Sequence, residues 1–520
     1  MNRQIWHNPG WHIVVLGLLT LLTRLPFRSS VLFNWDSVNF AFGILDFDVI
    51  KHRPHPPGYI LYIMSGKMLT LLTNDPNASL VWLSIVSGVL AVVLTYALGL
   101  HFFGVRDAFI GALLLMTSPL VWFYNEIALT YSLELFFSVA IAYTCYRTLT
   151  GSIWWAYIGA LLLGLAGGFR QTTLLFMLPL ALYAALRLSW RHRLGTGALV
   201  TVICLGWGLP LLANTGGLSA YLRTSFQLSS ISEPGPFSDV LRSLFFGGHL
   251  AVLLVLGFWF GFYTIKAGSR PPWERWFIVL WVVPGLLVVV FRHIGQSGYL
   301  LFFLPPIFIY TPSLLRGALE RLETIRPTAG ARRETIIEQK MRLTVLVFIL
   351  VGTVAFLLGA NRLIQWQNYH WQSMQTLPEQ YPPSQTIVLT NLSLDSGFRH
   401  ASYYLPDYHV YALPTKQLDG PAVVADPTLV PGWVFHSYQY EDNYDLNRAD
   451  HHLNTILDLP PGTTGLLVTD KHLVPLPGNS TEKDIPDKFD STDRHDWLIH
   501  VTLPTGARQL IITGNRLEVR

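Results

Sequence analysis

Charge is what this sequence has least of: Asp, Glu, Lys and Arg make up 13% of 520 residues, against 51% apolar. A soluble fold carries about a quarter of its residues charged, so this composition excludes an ordinary soluble globule. Cysteine is almost missing as well. The two present, Cys145 and Cys204, each fall inside an apolar stretch, where a thiol behaves as a small hydrophobe. Neither a disulfide framework nor a cysteine zinc site is implied. No small-residue cleavage site follows the apolar run from Ile13 to Leu22, which predicts a retained first span rather than a removed signal peptide. Internal repeats and low-complexity tracts are lacking. The net charge of +4 is modest, and the basic residues sit in short loops rather than in one stripe, so nucleic acid is not an expected partner.

What the sequence has is long apolar blocks. They lie at about 11–27, 79–103, 108–123, 128–146, 153–169, 171–187, 196–213, 248–265, 275–291, 298–315 and 342–361, and most approach the roughly 20 residues needed to cross a hydrocarbon core of about 30 Å. The expectation is a polytopic α-helical membrane protein with about eleven transmembrane helices. Residues 57–72 are apolar too, but they open on Pro56-Pro57-Gly58 and contain Lys67, which favours an interfacial or re-entrant helix. With that assignment Arg3, Arg106, Arg147, Arg187, Arg191, Arg193, Lys266, Arg270, Arg275 and the seven cations from Arg316 to Arg342 share one side. Cytoplasmic loops retain positive charge, so the N-terminus is expected in the cytoplasm and the C-terminus outside it.

Two domains are expected: a membrane domain over 1–363, with a long first outer loop at 28–78, and a soluble extracytoplasmic domain over 364–520. After Ile364 polar residues return, with β-rich runs at Thr386–Leu389, His409–Ala412, Trp497–Val501 and Gln509–Thr513, separated by turn signals at Leu459-Pro-Pro-Gly462 and Pro504-Thr-Gly506. The second domain is therefore expected to be α/β or β-rich.

The chemistry is concentrated at the outer ends of the spans. The first loop holds Asn34-Trp-Asp36-Ser-Val-Asn-Phe40, then Asp46 and Asp48, then His52-Arg-Pro-His55-Pro-Pro-Gly-Tyr59. A connection between two spans needs few residues merely to turn, whereas this one gathers acids, histidines and rigid turns; a solvated linker is the competing explanation. Glu126 sits at the next outer boundary, where it is either a site carboxylate or a turn acid, and Glu134, eight residues on, would be costly facing lipid. Arg170 lies in Gly167-Gly-Phe-Arg170-Gln-Thr-Thr173, and an interfacial arginine can simply snorkel to headgroups. Arg292, His293, Gln296 and Tyr299 form a last polar turn, which an aromatic interfacial anchor also explains. His52 and His55, three apart around prolines, match no strong metal signature.

An Asp in the first outer loop followed by His-Pro-Pro-Gly-Tyr resembles the GT-C class of membrane glycosyltransferases, in particular the protein O-mannosyltransferase-like and aminoarabinose transferase-like groups. The resemblance covers roughly residues 10–310. It implies a GT-C-like fold and transfer of a monosaccharide from a polyprenyl-phosphate lipid donor to an acceptor on the extracytoplasmic side, with inversion. It implies Asp36 as general base, with Glu126 binding acceptor, supporting Asp36 or helping hold a divalent ion. It implies Arg170 as a ligand of the donor phosphate, with His55, Arg292, His293, Gln296 and Tyr299 around donor or sugar. No cofactor is required, and a divalent metal is compatible but not demanded. The partners implied are a lipid-linked sugar, membrane lipids and an acceptor that is protein, lipid or glycan; the plasma or inner membrane is favoured over the endoplasmic reticulum. A transporter or flippase would also need many spans, but such proteins place ionisable sites near the bilayer midplane, and here they fall at span ends. A noncatalytic assembly protein would not need Asp36.

Overall fold

The computed structural model describes residues 8–231, 272–292, 297–325, 331–390, 397–412, 455–468, 499–503, 505–513 and 516–519. The chain divides into two compact units, one of residues 1–30 and 43–365, the other of residues 31–42 and 366–520. The second unit thus takes in a segment of the first outer loop.

In the first unit, α1 (Pro9–Arg24) starts where proline is tolerated at N1 and Asn8 accepts a hydrogen bond from Gly10 N–H at 2.9 Å. α2 (Trp35–Leu45) begins in the second unit and ends in the first. α3 (Ile60–Thr73) is a 14-residue apolar helix, about 21 Å long at 1.5 Å per residue and too short to cross a bilayer core upright. α4 (Pro76–Thr117) is capped by Asp75, whose carboxylate accepts from Asn77 and Ala78 N–H. It is two limbs, not one rod: Gly104 sits at φ 78°, ψ −179°, a region essentially reserved for glycine. A Cβ on Gly99 would lie 3.1 Å from the Cβ of Ala108, whereas nine residues of straight helix span about 13 Å, so the chain reverses at Gly104.

Then follow α5 (Pro119–Tyr124), α6 (Tyr131–Leu149), α7 (Ile153–Phe169), α8 (Gln171–Ala185), α9 (Trp190–Asn214), α10 (Leu218–Ile231) and α11 (Pro272–Arg292). A 3₁₀ stretch, Ser297–Phe303, leads into α12 (Leu304–Ile325), and α13 (Ala331–Ala355) continues through one wide helical turn, Phe356–Ala360, into α14 (Asn361–Met374). Arg316 of α12 joins α4 and α13 by ion pairs to Asp107 at 2.7 Å and Glu338 at 2.9 Å.

Five stretches among the described residues are long and apolar enough to cross a membrane: 9–27, 76–117, 190–214, 297–320 and 336–380. Ile153–Phe169 and Gln171–Ala185 are apolar but shorter, and the expected span at 248–265 lies outside the described residues. The protein is an integral membrane protein. Apolar side chains that face outward, such as Leu343, Leu346, Leu350 and Val354 along α13, follow the helical spacing of a lipid-facing stripe.

The second unit contains a four-stranded sheet of order β2-β1-β4-β5, formed by β1 (Thr386–Thr390), β2 (His409–Ala412), β4 (Gly465–Val468) and β5 (Ile499–Thr502). β1 is parallel to both β2 and β4, with Ile387 opposite His409 and Leu466, and β5 closes the edge antiparallel. All five residues of β1 are buried, as expected for a central parallel strand covered on both faces. Parallel neighbours need a crossover, and it is supplied by α16 (Phe398–Tyr404), which follows the short α15 (Leu377–Gln380). A second sheet, β3 (Thr455–Asp458), β6 (Gln509–Thr513) and β7 (Arg516–Val519), is antiparallel. The domain is α/β rather than purely β-rich.

Candidate active site

In the first unit the loop after α2 is shaped by a tight bridge between Asp48 and Arg53, whose backbones exchange hydrogen bonds of 2.7 and 2.8 Å. Arg53 is also paired with Asp46 at 2.7 Å. His52 and His55 are buried, and the His55 ring lies 5.0 Å from that of Tyr59. Gly58 has φ +101°, and a Cβ there would meet Leu211 Cδ1 at 2.6 Å; glycine is needed for both the conformation and the close approach. The Pro57 carbonyl accepts from Gln171 Nε2 at 3.1 Å and from the Tyr221 hydroxyl at 3.2 Å. The His-Pro-Pro-Gly-Tyr segment is thereby tied to the first residue of α8, directly after Arg170.

Arg170 is the break between α7 and α8, with extended φ and ψ of −158° and 109°. Its guanidinium is buried between two phenol rings, 4.3 Å from the centroid of Tyr131 and 4.6 Å from that of Tyr299. Nε is ion-paired to Glu134 Oε2 at 3.1 Å, and Nη1 donates to Thr130 Oγ1 at 2.5 Å. Glu134, fully buried, accepts further from the Thr172 and Thr173 hydroxyls. Cation–π contacts strengthen when desolvated, to about 2 kcal/mol or more, so this cation is fixed in plane as well as position. Tyr131 packs edge-on to Tyr299 at 5.5 Å and against Tyr124 at 4.9 Å, and the Tyr124 hydroxyl hydrogen-bonds Ser297 at 2.9 Å. Three separate sequence motifs, around Tyr59, Tyr131 and Tyr299, therefore converge on Arg170.

Glu126 lies between α5 and α6 and is wholly buried. Burial pushes its carboxyl above the usual carboxylate range, and Arg24, its charged neighbour at the end of α1, opposes the shift. Arg24 donates to the Met116 carbonyl at 2.5 Å and lies 4.7 Å over the Trp122 ring, which in turn stacks on Phe356 at 4.5 Å. The Glu126 carbonyl accepts from Ser29 N–H at 2.8 Å, so this residue braces the exit of the first span.

Asp36 belongs to the second unit. It is the second residue of α2, where its N–H donates to Asn34 Oδ1 at 3.0 Å while Asn34 N–H donates back to Ser37 Oγ at 3.4 Å. That reciprocal pattern is a capping box, and it fixes the turn that carries Asp36. One turn on, Asn39 Oδ1 accepts from Arg399 Nε at 2.7 Å.

His400, next to Arg399, is fully buried and stacks on Trp371 at 5.3 Å. Burial holds its pKa down to about 3, nearby His370 lowers it further, and the backbone of Leu32 and Phe33 opposes the shift. An unfolded His titrates near 6.5, so between about pH 6.5 and 3 the unfolded state binds the extra proton and the native state does not. Stability of this region is therefore expected to be greatest above pH 6.5 and to fall by up to about 1.4 kcal/mol per pH unit below it. Protection against hydrogen exchange of residues 31–42 and 398–404 in the full-length protein, measured relative to the intrinsic base-catalysed exchange rate at each pH, should fall between pH 7 and 5, and His400→Gln should flatten that dependence.

Of the residues singled out in the sequence, His55, Glu126, Arg170 and Tyr299 lie in the first unit and Asp36 in the second. Arg292 ends α11, and His293 and Gln296 lie outside the described residues. Among the described residues no group of three or more His, Cys, Asp or Glu is placed to hold a metal ion.

Residues 54–212 match the family model of dolichyl-phosphate-mannose-protein mannosyltransferase. Among solved structures, ArnT from Cupriavidus metallidurans in its apo state aligns over 94% of this chain and 97% of that one, with TM-score 0.54 and 11% identity. The chain shares the fold of that ArnT. The same ArnT bound to undecaprenyl phosphate aligns over 95% and 98% with TM-score 0.53 and 12% identity. The oligosaccharyltransferase of Archaeoglobus fulgidus, in its apo form, aligns over 81% and 67% at 13% identity and TM-score 0.45. No curated protein matches by sequence.

The mannosyltransferase match contains His55, Glu126 and Arg170, while Asp36 and Tyr299 fall outside it. Arg24, Asn39, Arg399 and His400 were not picked out by sequence reasoning. A lone arginine at the end of an apolar span reads as an interfacial anchor, and the other three carry no local motif.

Proposed function

We propose that this GT-C-type glycosyltransferase moves a monosaccharide from a polyprenyl-phosphate donor to a hydroxyl acceptor on the extracytoplasmic face of a plasma or inner membrane. The N-terminus lies in the cytoplasm, as the distribution of basic loops supports, and the C-terminal domain lies outside. The reading rests above all on Arg170, a buried guanidinium held flat by Tyr131 and Tyr299 and oriented by Glu134. A fixed guanidinium is suited to phosphate because its planar donors match phosphate oxygens and it stays charged in a dry site. The undecaprenyl phosphate bound by the ArnT neighbour supports a polyprenyl phosphate as the lipid class.

In the proposed step the acceptor oxygen attacks the anomeric carbon as its proton passes to the Asp36 carboxylate. The bond from that carbon to the phosphate oxygen breaks, and the electron pair leaves with the lipid phosphate. Arg170 and groups of the Arg292–Tyr299 turn, with His293 and Gln296, offset the negative charge that develops there. A phosphate monoester needs no protonation to leave, so no general acid is assigned. His55, packed on Tyr59, shapes the donor side, and Glu126 supports the site through Arg24. A divalent ion has no step of its own here.

Purified full-length protein given undecaprenyl-phosphate-linked monosaccharides, with a panel of hydroxyl-bearing peptides, glycans and glycolipids, should release undecaprenyl phosphate and form a glycoside of inverted anomeric configuration. Retained configuration, or transfer from nucleotide sugars instead, would refute the proposal.

A further inference from the structure

One segment of the first outer loop groups with the C-terminal unit rather than with the membrane helices that flank it. Residues 31–42 belong to the C-terminal unit, and one short helix of that unit, α16, holds them. Arg399 Nε donates to Asn39 Oδ1 at 2.7 Å, and the same guanidinium lies 4.6 Å over the Phe42 ring. Tyr403 packs edge-on against Phe42 at 5.3 Å, and the Tyr404 hydroxyl accepts from Leu32 N–H at 2.7 Å. Arg399 and Asn39 are both buried, the arginine completely. A buried cation is costly unless it is hydrogen-bonded, and one such bond here is made to the loop helix.

Asp36 and Asn39 are three apart in α2, hence on neighbouring positions of one helix face. Holding Asn39 therefore fixes the rotation of the turn that presents Asp36. We propose that the C-terminal domain positions the Asp36 helix and that Arg399 is the positioning residue. The inference rests on Asp36 being the base. It gives the domain a role in the reaction itself: α16 is the crossover between β1 and β2, so the sheet that orients it also orients the carboxylate. Arg399 acts through Asn39 and does not touch substrate.

Misplacement of a reacting group by about 1 Å can cost on the order of 100-fold in rate. Turnover of undecaprenyl-phosphate-linked mannose, followed as released undecaprenyl phosphate, should fall about 10- to 100-fold in kcat for Arg399→Gln, with the donor KM changed less than about threefold. Asn39→Ala removes the same hydrogen bond from the other partner with little change to a helix. It should reproduce the loss even if Arg399→Gln folds poorly, and the double variant should be no slower than the worse single. In an Asp36→Asn background, Arg399→Gln should add nothing to the residual single-turnover rate. If kcat stays within about twofold of wild type in Asn39→Ala and Arg399→Gln, or if their losses multiply, the positioning role is wrong while the base assignment stands. Full turnover by Asp36→Asn would remove the base assignment, and this inference with it.

Discussion

Asp36→Asn is expected to lower the rate of sugar transfer by about 10²–10⁴, the range that a positioned general base contributes, without loss of the folded protein or of lipid binding. The amide keeps the size of the side chain, and the α2 cap is made by Asn34 Oδ1 and Ser37 Oγ with backbone N–H groups, none of which the substitution removes. What is lost is the ability to take a proton from the acceptor hydroxyl as it attacks. The effect should therefore appear in kcat and in single-turnover rate, and not in the affinity for undecaprenyl phosphate. Transfer to the acceptor at the wild-type rate would place the base elsewhere.

Arg170→Gln should do two things that a second substitution separates. Removing the cation leaves Glu134 buried without its partner, which costs about 3–5 kcal/mol for a buried ion pair broken on one side and should lower the thermal midpoint of the purified protein. Adding Glu134→Gln removes the stranded charge, and the Thr172 and Thr173 hydroxyls can still hydrogen-bond the new amide, so most of the stability should return. Donor turnover should not: with no guanidinium between Tyr131 and Tyr299, transfer should stay down by about 10² or more, the scale seen when one preorganised donor to a developing anion is lost. If Arg170 served only to neutralise Glu134, the double variant would recover activity along with stability.

Much of this was legible from the sequence for a physical reason: the motifs are local. His-Pro-Pro-Gly-Tyr announces a rigid turn, Gly-Gly-Phe-Arg-Gln announces a helix break with a cation in it, and the β-branched run Thr386–Leu389 announces a buried strand. The break expected between residues 103 and 108 falls on Gly104, whose backbone only glycine adopts readily. Long-range partners were not legible. Arg24 beside Glu126, Glu134 with Arg170, and Asn39 with Arg399 each come together from segments distant in the sequence, and nothing in the flanking residues records the partner. Glu134 shows the limit well: its place in a span required burial away from lipid, but only the fold supplies Arg170 as the reason it is tolerated. The first loop shows it again. Its length announced a functional segment, whereas its division between two units depends on contacts made some 360 residues later.

The most direct test of the donor site is equilibrium binding of undecaprenyl phosphate to the purified full-length protein and to its Arg170→Gln, Glu134→Gln double variant, with undecaprenol as the uncharged control. Charge-assisted hydrogen bonds of about 1.5–3 kcal/mol predict that the double variant binds the phosphate about 10- to 100-fold more weakly while undecaprenol distinguishes the two proteins little. Equal affinity of wild type and double variant for undecaprenyl phosphate would contradict the account.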